Sequence, residues 1–132
     1  MVVRVKNVSL YLGLGMLFTH EMDAMPNHEW RVFPLLGSLP DAAGQFVFLA
    51  AHIPIFALVI AFVASLNQKV RDRAQKIAAG LLIAHAALHF MFSGQANYEF
   101  SSFFSSALIL GAALCGIGFF SAVALERSSS IS

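Results

Sequence analysis

Apolar residues gather into four long blocks along this chain, roughly 8–25, 42–66, 77–92 and 103–125, with short polar stretches between them. Each block approaches the ~20 residues that an α-helix needs to cross a ~30 Å hydrocarbon layer. A closed β-barrel is the other spanning option, and the blocks lack its strict apolar/polar alternation. The pattern predicts an all-α fold, an integral membrane four-helix bundle forming a single domain over 1–127. Its helices are expected over about 5–25, 41–67, 74–93 and 101–125, with a disordered serine-rich tail at 128–132.

The polar punctuation supplies the boundaries. Pro26 stops the first helix. Residues 27–39, with Pro34 and Gly37, are too broken to span and read as a short interfacial segment, Trp30 being its headgroup-level anchor. Asp41 suits the N-cap of the second helix, and Pro54 removes a backbone donor inside it. The 67–76 loop is short, so its flanking helices are expected to be antiparallel neighbours. In the last helix Ala107, Gly111 and Cys115 recur every four residues, a spacing that lets helices approach closely.

Composition agrees with the pattern: 58% hydrophobic against 11% charged residues is unlike a soluble domain, and no nucleic-acid partner is expected. The net charge is only +1, but its distribution is one-sided. Arg4, Lys6, Lys69, Arg71, Arg73, Lys76 and Arg127 fall at one end, leaving Arg31 at the other. The positive-inside rule then makes both termini cytoplasmic. Arg4, Lys6 and the apolar run after them resemble a signal peptide, but no small-x-small cleavage site follows, so the first helix is read as part of the mature protein. The lone Cys115 permits no internal disulfide.

Against this background the stretch His20-Glu21-Met22-Asp23 stands out, because ionisable groups at membrane depth are costly and persist mainly for function. At ~1.5 Å per residue, His20 lies ~9 Å below the outer helix end, His52 ~16 Å, His85 ~14 Å and His89 ~8 Å. Glu21 and Asp23 are level or shallower. His85 and His89 share a helix face, as do His20 and Asp23. A single membrane histidine is more often a packing residue than a ligand; several from three helices at one depth favour a shared site. Imidazole with carboxylate and without clustered cysteine suits zinc, iron or copper, so His20, Asp23, His52, His85 and His89 are candidate metal ligands. Glu21 and Glu29 are candidate acid/base groups. His28, Glu29, Tyr98 and Glu99 read as wet, interfacial residues.

The string Thr19-His20-Glu21-Met22-Asp23-Ala24 followed by Glu29-Trp30-Arg31, with His52-Ile53-Pro54 and His85-x-x-x-His89 beyond it, resembles a group of small bacterial four-helix membrane proteins of unknown function. The likeness covers about residues 8–115. It implies a bacterial cytoplasmic membrane location and names no chemistry. Three functions stay open. One is a membrane metalloenzyme acting on a lipid-soluble small molecule. Another is a bis-histidine haem protein for electron transfer. The last is a proton or metal-ion carrier, which the apolar inner half of the helices disfavours.

Overall fold

The computed structural model describes residues 2–129, which form helices joined by turns, with no strand among them. The long helices are α1 (Val2–Asp23), α3 (Asp41–Val63), α4 (Gln68–Phe92) and α5 (Phe103–Ser129). Between α1 and α3 lie a 3-10 turn at Glu29–Arg31 and a single-turn helix, α2 (Pro34–Gly37). Three helices, α3, α4 and α5, are long and apolar enough to cross a membrane. The expected first span differs: α1 has the length, but Arg4, Lys6 and Asn7 at one end and His20, Glu21 and Asp23 at the other lower its hydropathy.

Boundaries moved where local chemistry overrides hydropathy. α4 begins at Gln68 rather than near 74, because the Asn67 side chain accepts from the backbone N–H groups of Lys69 (3.0 Å) and Val70 (3.3 Å). Asp41 does not cap α3; it lies in the first turn with its carboxylate turned to Trp30 and Arg31. α5 continues through Ser129, so the start of the expected tail is helical, and 130–132 lie outside the described residues.

α1 and α5 run antiparallel. Lys6 pairs with Glu126 at one end (3.0 Å), and Asp23 meets Ser105 at the other (2.5 Å). Between them the small residues permit close approach. A Cβ on Gly13 would stand 2.5 Å from Leu82 Cδ1 and 2.8 Å from Cys115 Cβ. One on Gly116 would meet the Ala79 carbonyl oxygen at 2.6 Å. α1, α4 and α5 therefore share an apolar interior of Leu10, Leu14, Ala78, Ala79 and Phe119, joined by Val63 from α3. α3 lies more peripherally: only Gly44, Phe48 and Val63 of it are buried.

Candidate metal centre

The segment after α1 is folded back over the helix end. Ala24 is fully buried, the Glu29 N–H donates to the Ala24 carbonyl (3.1 Å), and His28 takes a left-handed conformation (φ 48°) that turns the chain. Trp30 is 2% exposed and packs in a cluster with Phe48, Phe100 and Ile109. It is thus a core residue and not the surface anchor its composition suggested. Its indole N–H donates to Asp41 Oδ1 (3.0 Å), and Arg31 donates to both Asp41 oxygens (2.7 and 2.9 Å). His28 donates to Glu99 (3.0 Å), tying the same segment to the loop before α5. These contacts hold the turn in place, and the turn carries Glu29 inward.

Beneath it His20, His85 and His89 converge. One ligand nitrogen from each lies within 4.8 Å of the others, and their rings touch edge to face with centroids 4.6–4.8 Å apart. His85 and His89 reach the spot because they are one turn apart on α4; His20 arrives from the last turn of α1. Glu29, expected to be wet, is 5% exposed and lies against two of the three: Oε2 lies 3.6 Å from His20 Nε2, and Oε1 lies 3.4 Å from His89 Nε2. Burial alone would raise the Glu29 carboxyl, but the facing His20 and His89 outweigh it and lower it.

These separations are informative. They exceed the 2.7–3.2 Å of an N–H···O hydrogen bond. They equal the ~3.4–3.6 Å that separates two ligand atoms on one tetrahedral ion with ~2.1–2.2 Å bonds. Both ring nitrogens of His20, Nε2 of His85 and Oε2 of Glu29 are buried without a hydrogen-bond partner. Buried polar atoms are nearly always paired, so this many orphans in one place calls for an unseen partner. His89 is oriented by the Tyr98 hydroxyl, 3.1 Å from Nδ1, which leaves Nε2 to face the group. Partial burial, then the Glu29 charge, raises the Tyr98 hydroxyl above its ordinary value, so it keeps its proton.

The other predicted residues lie outside this cluster. His52 donates from Nδ1 to the Phe48 carbonyl (2.7 Å), which fixes its tautomer, and its Nε2 is 2.9 Å from Glu21 Oε2. A carbonyl only accepts, so that short contact holds one proton between imidazole and carboxylate. Asp23 accepts from the fully buried Ser105 hydroxyl, which also contacts Ser102 Oγ (2.8 Å). The structure thus brings together His20, His85 and His89, with Glu29 against two of them, and gives Asp23 and the His52–Glu21 pair partners of their own. Ser105 and Tyr98 were not assigned these contacts by sequence reasoning; a serine in the first turn of an apolar helix is the signal that could have found Ser105.

A model of a family of unknown function (DUF6713) matches residues 6–126 of the chain. No curated protein and no solved structure matches it.

Proposed function

The chain belongs to this family of unknown function, and we propose that it is an integral membrane four-helix bundle that binds one transition-metal ion through His20, His85, His89 and Glu29. The observation that carries the reading is the convergence of three histidines, ligand atoms within 4.8 Å of one another, with buried nitrogens of His20 and His85 and one Glu29 oxygen left without a hydrogen bond. Three neutral nitrogens and one carboxylate suit zinc, iron or copper. The fixed negative charge of Glu29 offsets that of the cation inside a low-dielectric site.

Large apolar side chains turned outward, among them Ile53 (74% exposed), Phe90 (82%) and Phe103 (90%), support a lipid environment. The one-sided basic residues support cytoplasmic termini, with the centre near the outer face of a bacterial cytoplasmic membrane. The haem alternative fares worse: rings in mutual edge contact leave no porphyrin's thickness between any two of them. A carrier fares worse too, because an apolar cluster of Leu10, Leu14, Ala79 and Phe119 lies in the interior toward the basic end.

A second reading is that the centre is catalytic, and the His52–Glu21 pair favours it. Glu21 follows His20 in the chain and shares one proton with His52, so a proton donor and acceptor stands beside the centre without being tied up in it. A lipid-soluble small molecule is the expected substrate class. Elemental analysis and a visible spectrum of detergent-purified protein test the metal proposal, with His85→Ala purified alongside. One equivalent of metal in the wild type and none in the variant is expected. No metal in the wild type after growth with zinc, iron and copper ends the proposal.

A further inference from the structure

Between α3 and α4, at the basic end, lies a groove of about 450 Å³ with walls of Leu58, Phe62, Ile77 and Leu81. Sites for organic ligands commonly enclose ~300–1,000 Å³, mostly apolar with a few polar groups. Here the polar groups are Lys69 and Arg73, four residues apart on one face of α4 and at the rim of the groove. Neither side chain has an ion-pair or hydrogen-bond partner among the described residues, whereas Lys6 pairs with Glu126 and Arg71 donates to the Ser65 carbonyl. The position of Lys69 is also costly, because the first turn of a helix favours negative charge. The inside-positive bias accounts for basic residues at this end; an anion bound between Lys69 and Arg73 would give both side chains a partner beside the apolar groove.

We propose that this groove binds one acyl chain of an anionic phospholipid, with the lipid phosphate on Lys69 and Arg73. The chain would run from the basic end toward Leu81, which precedes His85 by one helical turn. This rests on the membrane reading above and is independent of bound metal. Apolar walls supply affinity for the chain; the paired cations supply preference for a negative headgroup.

Native mass spectrometry of delipidated protein in mild detergent tests it, titrating phosphatidylglycerol against phosphatidylcholine with the same chains. One phosphatidylglycerol is expected to be retained, with affinity above that for phosphatidylcholine. The double variant Lys69→Ala/Arg73→Ala should lose that preference, by roughly tenfold or more, while phosphatidylcholine binding stays as it was. Leu81→Trp, which fills the groove, should weaken both lipids. Equal retention of the two lipids by the wild type would overturn the proposal, as would an unchanged preference in the double variant. Competition by glycerol 3-phosphate as strong as by the whole lipid would remove the acyl chain from it. A carbonate wash of cell membranes separates the underlying reading: protein released by the wash is not integral, whatever the lipid titration gives.

Discussion

Two histidine–glutamate groupings adjoin the same end of α1, and they differ in what is left over. In the His52–Glu21 pair each ring nitrogen has a partner, at 2.7 and 2.9 Å. In the His20–His85–His89–Glu29 group the closest carboxylate contacts are 3.4 and 3.6 Å, and four buried atoms have no hydrogen bond. The same residue types thus give a satisfied pair in one place and an open ligand set in the other. Residue type alone does not separate the two groupings; the unspent lone pairs do.

The largest effect that would break this contrast is at His85. Its Nε2 is an orphan and its loss has no substitute, so His85→Ala should reduce metal affinity by more than ~100-fold, read as metal per protein after dialysis against a weak chelator. Glu29→Gln keeps the shape and removes the charge; a drop of about 10–100-fold in affinity is expected by the same measurement. Retained wild-type affinity would return Glu29 to a structural role.

The satisfied side of the comparison should respond differently. Asp23→Asn removes the charge that the Ser105 hydroxyl donates to, so thermal unfolding in detergent should register a loss of about 1.5–3 kcal/mol while metal content holds. A fall in metal content with stability unchanged would bring Asp23 into the centre. His52→Gln should leave metal content as in the wild type, and loss of metal there would erase the distinction between the groupings. As a control away from both, Gly116→Ala presses a methyl on the Ala79 carbonyl and should cost about 1–3 kcal/mol without touching metal affinity.

Much of the helical plan was legible in the chain because hydropathy reports directly on segment length. The four apolar blocks lie within the four long helices and the stretches flanking them, and Pro26 follows α1 closely. Close packing through the small residues of the last helix was legible as well, since Gly111 and Cys115 face Met16 and Gly13; that its partner is α1 was not. What hydropathy could not register is a polar side chain that serves the backbone. Asn67 starts α4 before its charged turns look helical, and Asp41 is drawn from the cap position by Arg31 and Trp30.

Within the site the same division holds. That histidines at matching depth on separate helices would meet followed from the 1.5 Å rise and the i, i+4 spacing, and His20, His85 and His89 do meet. Depth fixes only one coordinate. The rotation of α3 about its axis sends His52 to Glu21, and the direction of the last turn of α1 gives Asp23 to Ser105. Glu29 was the least legible, since a carboxylate in a proline- and glycine-broken segment reads as solvated. Its burial follows from the fold-back through His28 and from the anchoring of Trp30, contacts between residues far apart in the chain. The sequence alone determined which residues lie at one depth and one helix face, because helix geometry is local. Which of them share a centre was decided only by the tertiary structure, because helix rotation and loop closure depend on packing that no single segment encodes.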